Sequence, residues 1–156
     1  MTTSTLLDIG QMVPDFRLRG PGGQRVSLSE YRGKKNVVVV FFPLAFSPVC
    51  SHQLPDIEKG MRRFEALGSV VLGVSVDSHY ANQAFARSLG ISFPLLSDFD
   101  RAASQAWGVL IPEKLHSGRA VFVVDQQGRL ADREVSPTTA EIPSNAAVLA
   151  ALERLA

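Results

Sequence analysis

Apolar residues along this chain fall into two kinds of run. Val37–Phe42, Val70–Val76 and Ala120–Val124 are nearly continuous and rich in β-branched and aromatic side chains. Each is too short to cross a bilayer and leaves no polar face, so each predicts a strand buried on both sides of a sheet. The second kind is periodic. Leu54, Ile57, Met61, Phe64 and Leu67 recur at helical intervals and predict one helix with an apolar face beginning at Cys50. Pro55 lies inside it and predicts a kink or irregular turn just after Cys50. Ala81, Ala84, Phe85 and Leu89 predict a second helix, capped by Asp77-Ser78 and closed by Gly90. A third opens at Asp98 or Asp100, runs to Trp107 and stops at Gly108. A last helix starts near Ser144 with Val148, Leu149, Leu152 and Leu155 on its apolar side.

Weaker patterns fill the intervals. Phe16 and Leu18 alternate with Arg17 and Arg19, Pro21–Gly23 marks a turn, and Arg25–Leu28 resumes, which predicts a hairpin. Ser29 is placed to cap a short helix ending near Gly33. Phe93–Asp98 reads as a short extended segment, Leu110–Gly118 as loop, Leu130–Val135 as a strand after a polar turn, and Pro137–Pro143 as linker. Strands and helices mixed in this order predict an α/β fold with a central mixed sheet flanked by helices. At 156 residues, without repeats or low-complexity tracts, residues 1–156 are expected to form one domain.

Composition narrows the function. Sixteen basic and fifteen acidic residues are dispersed, which argues against a nucleic-acid surface or a polybasic membrane patch. No apolar run approaches the roughly twenty residues that span a bilayer, and Met1–Asp8 lacks the basic flank and apolar core of a signal peptide. A single cysteine excludes an internal disulfide or a cysteine-based metal cluster, and the histidines show no ligand spacing, so no metal or cofactor is expected. Reducing cytoplasm is the expected compartment.

The chemistry converges on that cysteine. Cys50 follows the strand-ending Pro43 by seven positions and opens the predicted helix. Unpaired N–H groups and the helix dipole stabilise a thiolate there, and the thiolate is the reactive form. A lone cysteine also serves as a small buried hydrophobe, and on these residues alone both readings stand. A cysteine–histidine hydrolase is disfavoured: His52 lies two positions from Cys50 on another helix face, and His79 and His116 lack a recognisable orienting partner.

Pro43-Leu-Ala-Phe-Ser47-Pro-Val-Cys50 resembles the peroxiredoxin signature, a proline, three residues, Thr or Ser, two residues and cysteine. It is most similar to the one-cysteine peroxiredoxins of the AhpE type (alkyl hydroperoxide reductase E). The likeness continues through Met12–Phe16, Phe93–Asp98 and Arg119–Asp125. It implies a thioredoxin-like fold with an N-terminal β-hairpin addition. It implies that Cys50 is oxidised to sulfenic acid by hydrogen peroxide, an organic hydroperoxide or peroxynitrite, with Ser47 and the backbone N–H groups of Val49 and Cys50 as donors. Arg119 would stabilise the thiolate and hold the peroxide, and Pro43 would cover the pocket. Phe42, Leu44 and Phe46 could shape an apolar mouth or fill the core. Gln53 stands where AhpE-type sequences carry Glu and could hydrogen-bond the arginine.

Ser47 in place of a first cysteine rules out a dithiol cycle, and Pro55 occupies the position of a resolving cysteine in another subgroup. The reductant is then external, a low-molecular-weight thiol or a redoxin. The resemblance further implies a homodimer, with Phe46, Tyr80 and the Trp107 region as interface candidates. A thioredoxin-like redox sensor or binding module, acting through a mixed disulfide at Cys50, is the alternative.

Overall fold

The structure, a computed structural model, describes residues 6–48, 50–136 and 145–155, with Cys50 placed by its backbone. Its strands are β1 (Arg17–Arg19), β2 (Arg25–Ser27), β3 (Asn36–Phe41), β4 (Ser69–Ser75), β5 (Leu95–Ser97), β6 (Leu110–Ile111), β7 (His116–Ser117), β8 (Ala120–Val124) and β9 (Leu130–Val135). Its helices are α1 (Cys50–Lys59), α2 (Met61–Ala66), α3 (His79–Leu89), α4 (Ala102–Ala106) and α5 (Asn145–Leu155). Seven strands form one sheet in the order β2-β1-β5-β4-β3-β8-β9. β3, β4 and β5 are parallel neighbours, and the remaining pairings are antiparallel. This is the expected α/β architecture with a mixed sheet and an N-terminal hairpin.

β3 shows why its sequence carries no polar alternation. Val37, Val39 and Phe41 enter one core cluster, and Val38, Val40 and Phe42 enter the other. Successive side chains point to opposite faces, and both faces are covered. On one side Phe41, Trp107 and Phe122 pack edge or tilted at 5.1–5.7 Å. On the other, Leu54 of α1, Phe64 of α2, Phe85 of α3 and Leu152 of α5 close over the sheet.

Several local expectations are corrected. The single helix after Cys50 is two: α1 runs through Pro55, and the break falls at Gly60. Glycine has low helix propensity, and a side chain at 60 would lie 3.1 Å from the Phe64 ring. Met61 and Leu67 are only partly buried. The short helix before Gly33 is a 3-10 turn, Leu28–Tyr31. Its cap position is Ser27, whose N–H donates to the Glu30 carboxylate, so Ser29 lies inside it. Leu110–Gly118 contains the two-stranded β6–β7 hairpin rather than plain loop. In α3 Ala84 is exposed, and the face turned inward carries Asn82 and Phe85. In α5 Val148, Leu149, Ala151 and Leu152 are buried while Leu155 is exposed. Residues 137–143, expected to be linker, lie outside the described residues. Among the described residues no helix is long and apolar enough to cross a membrane.

Two expectations about caps hold. Ser78 Oγ accepts from the N–H of Ala81 at the start of α3, and Gly90 ends that helix in the left-handed region at φ +68°. Asp98 caps α4 from a distance: its Oδ1 accepts from the N–H of Ala103 and its Oδ2 from that of Ser104, at 2.9 and 2.7 Å.

Candidate active site

The sheet's pairing brings distant residues to one edge. β8 runs antiparallel to β3 with Ala120 opposite Phe41. Arg119 therefore enters the sheet where β3 leaves it and the Pro43–Cys50 segment begins. The next element reinforces this junction: Ser117 Oγ donates to the carbonyl of Phe42 at 3.2 Å.

Arg119 is only 2% exposed, unlike an ordinary surface arginine. A buried guanidinium needs hydrogen-bond acceptors, and one is Gln53 Oε1, 2.7 Å from Arg119 Nη1. Gln53 is itself fully buried on α1, three residues after Cys50. Residues three apart share a helix face, with Cβ atoms about 5–6 Å apart. The guanidinium is thus held within one helical turn of the Cys50 backbone. Because the amide oxygen faces the arginine donor, Gln53 Nε2 points elsewhere, and it has no hydrogen-bond partner among the described residues. A buried donor without a partner costs about 1–3 kcal/mol.

The loop ahead of Cys50 is tightly tied. Ser47 Oγ donates to the Leu44 carbonyl at 2.9 Å, and Ser47 O accepts from the N–H and Oγ of Ser51 at 3.1 and 3.0 Å. Ser47 thereby spans the turn and the first turn of α1. Phe46 adopts φ +67°, a left-handed conformation rare for a bulky residue. Its ring rests 4.9 Å from that of Phe85, although the residue is 57% exposed. Pro43 is buried at the exit of β3, next to the fully buried Phe42. Phe42 is therefore core, and only Leu44 and Phe46 are left to line a mouth. Val49 and the Cys50 side chain lie outside the described residues.

Asp77, expected in the cap of α3, instead ties the loop to β4 through its carboxylate. Asp77 Oδ2 accepts from the N–H of Ala45 at 2.7 Å and from Ser75 Oγ at 2.8 Å. Behind it Asn82 Nδ2 donates to the Leu96 carbonyl at 3.2 Å. Nothing in the local pattern marks these residues as belonging to the Cys50 loop. Their only sequence signal is polar character at positions flanked by buried apolar residues.

Of the interface candidates, Tyr80 is 76% exposed and stacks on His79 at 4.0 Å, while Trp107 is fully buried in the core and presents no surface. His52 is exposed on α1, and His116 Nδ1 faces the adjacent Ser117 carbonyl at 2.8 Å.

Comparison with known proteins agrees with this geometry. The family model described as AhpC/TSA family matches residues 9–133. Alkyl hydroperoxide reductase E of Mycobacterium tuberculosis is 42% identical over 125 residues, covering 79% of this chain and 82% of that protein. A chloroplastic 2-Cys peroxiredoxin of Hordeum vulgare is 35% identical over 130 residues, covering 77% of this chain and 62% of that protein. The crystal structure of a peroxiredoxin-like protein from Aquifex aeolicus superposes with a TM-score of 0.90 at 26% identity, covering 99% of this chain and 91% of that one. The chain belongs to the AhpC/TSA family, and with Cys50 as the single cysteine of its sequence it is a one-cysteine peroxiredoxin.

Proposed function

We propose that this protein is a thiol-dependent peroxidase in which Cys50 carries the redox chemistry. The thiolate attacks one oxygen of a hydroperoxide, the O–O bond breaks, and the other oxygen leaves as water or an alcohol once protonated. Cys50 is left as a sulfenic acid. The observation that carries this reading is Arg119, a cation brought back from β8, buried, and held by Gln53 one helical turn from Cys50. A fixed positive charge there favours the thiolate and the negative charge that develops on the leaving oxygen.

The other roles follow from position. Ser47 holds the turn before α1 and offers its oxygen lone pairs to the site, and the family resemblance assigns the backbone N–H groups of Val49 and Cys50 as donors. Pro43 limits water around the thiolate. Phe46 borders the entrance, and Gln53 Nε2, buried and without a partner among the described residues, is the donor for a peroxide oxygen. Hydrogen peroxide, organic hydroperoxides and peroxynitrite all fit chemistry that needs only a cleavable O–O bond.

With no second cysteine in the sequence, the sulfenic acid is resolved by an external low-molecular-weight thiol or a redoxin. A homodimer in the cytoplasm completes the reading, with exposed Phe46 and Tyr80 as its contact residues. The sensor alternative lacks an observation in its favour. Rapid mixing with peroxide tests the proposal: Cys50 should oxidise far faster than free cysteine in the same buffer, and Arg119→Ala should slow that step by about 10²-fold or more. Oxidation at the free-thiol rate, or unchanged kinetics in the Arg119 variant, would refute it.

A further inference from the structure

β3, β4 and β5 are parallel, so their carboxyl ends share one edge of the sheet. The Cys50 loop leaves β3 there, and residues 98–101 leave β5 at the same edge. β1 runs antiparallel to β5 with Arg19 opposite Ser97, which carries Arg17 past the end of β5 toward Phe99. Between them lies a groove of about 240 Å³ lined by Arg17, Arg19, Arg25, Ser97, Phe99 and Asp100. It stands two to three strand spacings from β3, roughly 10–15 Å.

The charge in this groove is unusual for a chain whose net charge is only +1. Arg19 and Arg25 are directly paired across the β1–β2 hairpin, and Arg17 lies two residues on, so all three share one face. Like charges directly opposite destabilise a hairpin. No carboxylate of the described residues lies within ion-pair distance of any of the three. The acid in the lining, Asp100, accepts instead from the N–H of Ala102 through Oδ1.

Beside the arginines Phe99 is 64% exposed, on a loop that is firmly held. Asp98 caps α4 behind it, and Arg101 Nη1 donates to the Phe99 carbonyl while Arg101 Nε reaches the Leu115 carbonyl. Exposed arginine and aromatic side chains on a fixed frame are the composition of a protein-recognition surface.

Resting on the peroxidase reading above, we infer that this groove receives the acidic surface of a protein reductant, a redoxin with carboxylates beside its own thiol, and delivers that thiol to oxidised Cys50. In the step served, the redoxin thiolate attacks the sulfenic sulfur. An S–S bond forms, the S–O bond breaks, and the oxygen leaves as water after protonation. A second thiol of the reductant then releases the Cys50 thiolate and carries away the disulfide. A separation of 10–15 Å suits a protein surface that contacts both places at once.

The test uses the full chain, oxidised with one equivalent of peroxide, and follows loss of the sulfenic acid by trapping and mass spectrometry. The probes are two synthetic thiol peptides identical except for four Glu or four Gln flanking the cysteine, with rates corrected to thiolate concentration. The Glu peptide should react about tenfold faster at low salt, and the advantage should vanish in 0.5 M salt, as for an electrostatically steered encounter. It should also vanish in the combined variant Arg17→Gln, Arg19→Gln, Arg25→Gln, with peroxide oxidation of Cys50 unchanged. The salt comparison needs only the native chain and so stands if the variant fails to fold.

Equal rates for the two peptides, or an advantage that survives the variant, overturn the inference. So does an equal advantage of mercaptosuccinate over 2-mercaptoethanol, which would assign the groove to small anionic thiols. A variant that changes the sedimenting mass overturns it as well, by making the groove a contact between copies of this chain. If Cys50 of the native protein oxidises no faster than free cysteine, the peroxidase reading fails instead, and the two failures are distinct.

Discussion

Arg119 and Gln53, 66 positions apart in sequence, meet through a 2.7 Å hydrogen bond from Nη1 to Oε1, with both residues buried. The acceptor is a neutral amide, so it orients the guanidinium without adding an anion next to Cys50. Gln53→Glu keeps the shape and adds that negative charge. A like charge disfavours the thiolate, so alkylation of Cys50 by iodoacetamide at pH 7 should slow, and its pH midpoint should move up. A midpoint that stays put or falls would show that position 53 does not act on the thiol electrostatically.

Asp98 gives a pH prediction. Burial pushes its carboxyl above the ordinary value of 3.8, against the hydrogen bonds from Ser104 and Ala103 that pull it down. The folded chain therefore holds this proton more tightly than the unfolded chain does. Stability from this group falls as pH rises from 3.8 through the raised value, and the full contribution is present only below that window. Asp98→Asn should flatten this component of the stability–pH curve, at the cost of mispairing one of the two N–H groups it caps. Urea unfolding at several pH values between 3.5 and 7 reads the difference, and an unchanged slope would refute it.

Phe46 combines a left-handed backbone with a ring laid on Phe85. Phe46→Ala and Phe46→Gly both remove the ring, but only glycine adopts φ +67° without penalty. The glycine variant should be more stable than the alanine variant by about 1 kcal/mol. Paired denaturation curves measure this directly, and an alanine variant of equal stability would show that the loop relaxes.

Asp77 anchors the loop that carries Cys50 through its bond to the N–H of Ala45. Asp77→Ala strands that N–H in a partly buried position, while the Ser75 hydroxyl keeps Asn82 Oδ1 as acceptor at 3.0 Å. A loss of about 1–3 kcal/mol in stability is expected, together with slower oxidation of Cys50 by peroxide. Since Asp77 belongs to β4's exit and not to the signature segment, an unchanged oxidation rate would show that the loop keeps its shape without it.

The elements that the sequence made legible are those whose signal is local. A strand with both faces buried has no polar positions, hence the uninterrupted Val37–Phe42. Ser78 and Gly90 mark the ends of α3 because a cap is satisfied within a few residues. The break at Gly60 was hidden because the apolar spacing of Leu54, Ile57, Met61 and Phe64 runs straight across it. The β6–β7 hairpin was hidden because its strands are two residues each, too short for alternation to register.

The candidate site divides in the same way. Cys50, Ser47 and Pro43 could be named because they lie within eight residues of one another in a recognisable segment. What residues alone could not supply was the place of Arg119, since a single arginine before a strand looks like any surface cation. Its burial follows from β8 pairing antiparallel with β3, which sets the start of one strand beside the end of the other. The Asp77 anchor and the arginine groove at β1, β2 and β5 are likewise products of strand order. Hydrogen bonds across a sheet leave no trace in the spacing of either partner, so the fold alone decided which polar residues meet.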